Sequence, residues 1–127
     1  MLLTMLLAQA VVPQIEATPT PESEIVVMGR RLDRWTGKYQ IRGTRRKCST
    51  KTSSGDPEID KVGCVAFLEC ADKHQALVDA GDAKGIDRQT RARLKQSAIS
   101  TLKTCIADRR SFLLTQLAAR RMPSRQR

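Results

Sequence analysis

Aromatic side chains are scarce in this chain of 127 residues, at one Trp, one Tyr and two Phe. A core built with so few rings is aliphatic and thin, and a chain of this length makes one small domain, so covalent cross-links carry weight. The same scarcity argues against a base-stacking platform for nucleic acid, and no reader motif is present, although the pI is near 10.1. There is one histidine, His74. There is no phosphate-cradling glycine loop, no Cys-x-x-Cys and no Gly-x-Ser-x-Gly. The expectation is a non-catalytic protein without a cofactor. No apolar run is long enough to span a bilayer, so no transmembrane span is expected.

What is present begins with Met1-Leu-Leu-Thr-Met-Leu-Leu-Ala-Gln-Ala10, which has the apolar character of a secretory signal. Ala8-Gln9-Ala10 fits the small-x-small cleavage rule. No Lys or Arg precedes the run, which points to a true start somewhat upstream. Residues 11–33 read as a disordered linker, because Pro13, Pro19 and Pro21 are interleaved with Glu16, Glu22 and Glu24. Within it Glu24-Ile-Val-Val-Met-Gly-Arg-Arg31 is a short β-prone edge segment. A single domain over 34–121 and a basic tail over 122–127 complete the expected organisation.

The fold expected is α+β and mainly helical: a basic β-hairpin at about 34–51, then an antiparallel two-helix hairpin at about 57–80 and 87–121. Trp35, Gly37, Tyr39 and Ile41 alternate with Thr36, Lys38, Gln40 and Arg42, the period of a strand with one buried face. Gly43-Thr44 supplies the turn. Arg46, Cys48 and Thr50 alternate with Lys47, Ser49 and Lys51 in the second strand.

Ser53-Ser54-Gly55 is turn chemistry, and Asp56-Pro57-Glu58 is a helix start: a cap, a proline suited to the first helical position, and an acid for the positive dipole end. The helix that follows should end at Gly81. Ile59, Val62, Ala66, Cys70 and Leu77 share its buried arc, with Phe67 and His74 at the edge. After the loop 81–85, Asp87 caps a second helix that Pro123 cannot continue. Leu94, Ala98, Leu102, Cys105, Ile106, Phe112, Leu113 and Leu117 form its apolar arc. Two such helices with a short loop pack as an antiparallel hairpin.

The four cysteines, Cys48, Cys64, Cys70 and Cys105, are an even set behind an export-like start, which favours disulfides. Cys70-x-x-x-His74 with the other cysteines could instead hold a metal, and Cys70 beside His74 could be a nucleophile only if reduced; the expectation is disulfides and no metal. Cys64 and Cys70 are separated by about 9 Å of helical rise, beyond the roughly 7 Å a disulfide tolerates. Two pairings stay open: 48–64 with 70–105, or 48–70 with 64–105. The facing arcs favour 70–105, whereas a hairpin turning near residue 84 puts Cys64 level with Cys105.

Cys48-x-Thr50-x-Thr52-Ser53-Ser54-Gly55-x-x-x-Ile59-Asp60-x-x-x-Cys64 resembles the C-terminal domain of TonB-type energy transducers, where a strand runs through Ser-Ser-Gly into a helix. The resemblance covers about twenty residues, and it implies a strand–turn–helix clamp with Cys48 bonded to Cys64. Glu24-Ile-Val-Val-x-Gly-x-Arg31 is similar to mature N-termini of TonB-dependent outer-membrane receptors and of small secreted Gram-negative proteins. Together the two resemblances imply an accessory of TonB-dependent uptake as an alternative role.

Acidic residues are distributed unevenly. Residues 1–27, 28–51, 52–83 and 84–127 carry −3, +8, −5 and +10 of the net +10. The first long helix is acidic and the second basic, so part of the charge pairs the helices. The hairpin and the tail are expected to lack acidic partners, which makes Arg42, Arg45, Arg46, Lys47, Lys51, Arg120, Arg121, Arg125 and Arg127 the candidate anion-binding set. The expected role is an exported periplasmic or secreted protein that binds an anionic envelope surface or an acidic protein partner. A nucleic-acid-binding protein is the remaining alternative.

Overall fold

The computed structural model describes residues 21–122; the signal-like segment, the first half of the expected linker and the tail beyond Met122 lie outside the described residues. The described chain is mainly helical, with a two-stranded antiparallel hairpin and two disulfides, as expected. Its elements are α1 (Pro21–Arg34), β1 (Thr36–Arg42), β2 (Arg45–Thr52), α2 (Pro57–Lys73), α3 (Gln75–Asp82) and α4 (Arg88–Arg121).

Helix α1 corrects the linker and edge-strand expectations. Residues 21–34 form a helix despite the β-branched run Ile25-Val26-Val27, because Met28 and Leu32, one turn apart, are buried against α2 and α4. Tertiary burial overrides local β-propensity here. The Trp35 N–H closes the helix end on the Leu32 carbonyl at 3.0 Å.

The hairpin forms where alternation placed it. Gly43, the first of two loop residues, has φ of +58°, which suits a tight connection matched to strand twist. Tyr39 stands opposite Cys48, Ile41 opposite Arg46 and Gly37 opposite Thr50, so these residues share the inner face. Tyr39 stacks on Phe67 of α2 with ring centroids 4.1 Å apart. The register shifts between Thr36 and Gly37, which leaves Lys51 without a directly opposed residue.

Asp56 caps α2 as expected, accepting from the N–H of Glu58 at 3.0 Å and of Ile59 at 3.4 Å. The helix does not run on to residue 80. It breaks at His74 (φ −108°, ψ 26°), and the Leu77 and Val78 N–H groups both converge on the His74 carbonyl. The break re-aims the chain so that α3 lies along α4. Gly81 is not the stop expected of it. It lies inside α3, buried, where a Cβ would approach Lys95 Cγ of α4 at 3.2 Å.

Asp87 caps α4 through the Thr90 N–H at 3.3 Å. Its buried positions are Ala98, Leu114, Leu117 and Ala118. Phe112, expected on the buried arc, is instead 49% exposed and lies beneath the Arg109 guanidinium. The face is turned toward Leu114 and Ala118 because α1 covers that side of α4 as well as α2. The main core is Met28, Leu32, Trp35, Ile59, Val62, Leu114, Leu117 and Ala118.

Both disulfides link α2 to a neighbour: Cys48–Cys64 to β2, with Cα atoms 5.4 Å apart, and Cys70–Cys105 to α4, at 5.9 Å. Gly81 lies against Lys95 and Glu69 against Arg109, which sets Cys70 rather than Cys64 level with Cys105.

Candidate anion-binding surface

Pairing register sorts the hairpin's charges onto two faces. Lys38, Gln40, Arg42, Arg45, Lys47 and Ser49 share the outer face, since Lys38 opposes Ser49, Gln40 opposes Lys47 and Arg42 opposes Arg45. All six are exposed. Among the described residues none of the four cations makes an ion pair. Lys38, Gln40, Lys47 and Ser49 also border an open groove of about 450 Å³ at the edge of β2, which reaches round to Arg46 and Cys48 of the inner face and to Leu68 of α2. Lys51, at the irregularity in the register, is also exposed.

Arg46 departs from this set. It shares the inner face with Cys48, its side chain is only 13% exposed, and it donates to Asp72 of α2 at 2.8 Å. Its parity with Cys48 carried that information. Lys38, absent from the expected set, has the parity of Arg42 and belongs to it. The expectation that hairpin and tail arginines lack acidic partners is therefore corrected for Arg46, and likewise for Arg121.

Arg121 closes the opposite end of the molecule. It contacts Asp56 Oδ2 at 2.7 Å and Glu58 at 3.6 Å, while Arg31 of α1 approaches Asp56 at 3.8 Å. The Arg121 hydrogen bond holds the Asp56 carboxyl below its ordinary value against the effect of burial, helped by the Glu58 and Ile59 N–H groups. The same pair raises Arg121. Asp60 is also lowered: burial opposes its ionisation, but the Ser53 and Ser54 hydroxyls, both at 2.6 Å, and the Ser54 N–H at 2.8 Å outweigh it. Asp56 and Asp60 thus fix the turn between β2 and α2.

Arg120 is exposed and borders a groove with Glu58, Lys61 and Leu113. Arg125 and Arg127 lie outside the described residues. The hairpin tip is tied to Asp72 in the last turn of α2 and to Gln75 just beyond it, and Arg121 to Asp56 at the other end, a helix length of about 25 Å away. The candidate cations therefore form no single patch. The coherent surface is the outer face of the hairpin.

Arg110, which the sequence did not single out, serves the inner face: it donates to the Tyr39 hydroxyl at 3.1 Å and lies 5.4 Å from the Trp35 ring. All four cysteines are oxidised, and no cluster of three or more His, Cys, Asp or Glu suited to a metal occurs among the described residues. His74 lines a second open groove with Lys73, Thr101, Thr104, Cys105 and Asp108. Among the described residues no helix is long and apolar enough to cross a membrane. Comparison with protein-family models, curated proteins and solved structures finds no match to this chain.

Proposed function

We propose that this is an exported, non-catalytic envelope protein that binds anionic surface material through the outer face of its β-hairpin. The observation that carries the reading is the segregation of Lys38, Arg42, Arg45 and Lys47 onto one exposed face, while Asp72 of α2 is engaged by Arg46 and Asp56, the cap of α2, by Arg121. Two disulfides favour an oxidising compartment, where nucleic acid is seldom met. An acidic protein is the other partner this face would suit.

The test is co-sedimentation with vesicles containing phosphatidylglycerol. Retention is expected at about 50 mM salt and should fall steeply toward 1 M, as the Debye length shrinks to about 3 Å. Lys38→Glu with Lys47→Glu should abolish retention without changing the melting temperature. Absence of retention at low salt would leave the basic face a solubility feature. Fractionation with thiol counting tests the compartment: a cytoplasmic protein with free thiols would remove the export reading.

A second reading, an accessory of TonB-dependent uptake, draws on the Cys48–Cys64 bond between β2 and α2, the one contact that the resemblance implied, with the Ser53 and Ser54 contacts to Asp60 beside it. It predicts copurification with an outer-membrane receptor from cross-linked envelopes, and failure to recover one would remove it.

A further inference from the structure

We infer that Arg42 and Arg45 form a clamp for a phosphomonoester at the hairpin tip. The inference rests on the reading of the outer face given above and names the group that face takes.

Arg42 stands directly opposite Arg45 in the last pair before the loop, on the same face. Opposed residues of an antiparallel pair have Cβ atoms roughly 5 Å apart, and like charges in that relation weaken a hairpin. Nothing in the fold relieves the repulsion: among the described residues neither guanidinium has an ion pair or hydrogen bond, and both are exposed. The nearby acid, Asp72, is held by Arg46 on the inner face. A bound dianion would relieve it.

The mount of the pair is fixed from behind. Gln75 Nε2 donates to the Gly43 carbonyl at 3.3 Å, and the Arg46–Asp72 contact at 2.8 Å ties the next residue of β2 to α2. The turn thus rests on the junction of α2 and α3, and a site held this way loses less freedom on binding.

Charge and shape then select the ligand. Two planar guanidiniums offer paired N–H donors and two positive charges. A phosphomonoester presents three oxygens and about −1.5 to −2 charges at neutral pH, with a second pKa of about 6. A phosphodiester or a carboxylate presents two free oxygens and one charge. The clamp should therefore prefer the monoester, and the preference should collapse below about pH 5, where the second proton returns while arginine stays charged.

The experiment compares phosphatidylcholine vesicles doped with phosphatidic acid, a monoester, or phosphatidylglycerol, a diester, with compositions adjusted to equal zeta potential. At pH 7.5 the intact protein should bind the phosphatidic acid vesicles about tenfold more tightly, and Arg42→Gln or Arg45→Gln should remove that preference. Lys38→Gln removes the same charge and should lower binding to both vesicles alike. Glycerol 3-phosphate at millimolar concentration should suppress the excess binding; persistence of the excess would overturn recognition of the phosphate group itself. Equal binding to potential-matched vesicles, or the same loss of preference in Lys38→Gln, overturns the clamp and leaves the general anionic reading standing. Failure to bind either vesicle overturns both.

Discussion

The indole N–H of Trp35 donates to the Thr50 hydroxyl at 2.9 Å and so joins the start of β1 to β2 across the irregularity in their register. The ring behind that bond is buried in the main core and lies against two glycines, Gly37 and Gly63. A ring this large fits between a hairpin and a helix only because those positions carry no Cβ. At Gly63 a Cβ would fall 2.6 Å from Trp35 Cζ3.

Gly63→Ala should therefore destabilise. Alanine favours a helix over glycine by about 1 kcal/mol, but overpacking against a buried ring costs about 1–3 kcal/mol. The obstacle is a rigid indole rather than a flexible chain end, so the clash should win. A lower melting temperature is expected, by about 4–8 °C per kcal/mol for a domain of this size. Emission of the sole tryptophan follows the transition, and a rise in melting temperature would sink the packing argument.

The disulfides make a prediction on thiols. Alkylation of denatured protein without reductant should label no cysteine. Cys70→Ser should release one thiol, at Cys105, and leave Cys48–Cys64 intact. Closing loops of 16 and 35 residues should stabilise by about 3–4 kcal/mol each in the chain-entropy model. A peptide joining Cys48 to Cys70 would contradict the fold.

Asp56 predicts a direction with pH. Its carboxyl is held below the ordinary value of 3.8 by Arg121 first, with the Glu58 and Ile59 N–H groups assisting. A lowered folded-state pKa means that the stability it contributes is fully present above 3.8 and is lost as pH falls through the folded value. Asp56→Asn keeps a capping oxygen and removes the charge. The melting-temperature difference between the parent and this variant should shrink steadily below pH 4; a difference that grows there would refute the assignment.

Arg46 and its neighbour Lys47 should behave differently. Arg46→Gln loses a partly exposed ion pair, worth about 0–1 kcal/mol, and should lower the melting temperature slightly while weakening phosphatidylglycerol vesicle binding less than Lys47→Gln does. Lys47→Gln should weaken vesicle binding and leave the melt unchanged. Parallel melts and co-sedimentation check this, and the reverse pattern would mean that the two faces of the hairpin have been exchanged.

Much of the architecture was legible because it rests on local chemistry: the alternation around Tyr39, the Gly43 turn, and the caps Asp56 and Asp87. Three features were not. Helix α1 was hidden by Ile25-Val26-Val27, although Ile25, Met28 and Leu32 carry helical spacing; only burial against α2 and α4 decides between the two patterns. The break at His74 has no proline or glycine to mark it. The local sequence also leaves open where the helix pair turns: Gly81 lies against Lys95, so the turn centres near residue 88 rather than 84, and this sets Cys70 level with Cys105. Phe112 reads as inward when α4 is matched to a single neighbour, whereas α4 packs against more than one. For the candidate surface, parity alone would have moved Arg46 inward and brought Lys38 in. The Asp56–Arg121 contact could not be read, because it joins residues 65 positions apart.

The two covalent rings, 48–64 and 70–105, follow one another along the chain without overlapping, and the hairpin tip lies outside both. A protease that nicks the exposed connection at Lys84 leaves its fragments tethered through Cys70–Cys105, and the cut shows only after reduction. A nick at Arg42 or Arg45 severs everything before it, α1 and β1 included, which no cross-link then retains. The face assigned to ligand binding is thus also the place where one cleavage ends the fold, and an anion seated between the two arginines would shield the bonds that follow them.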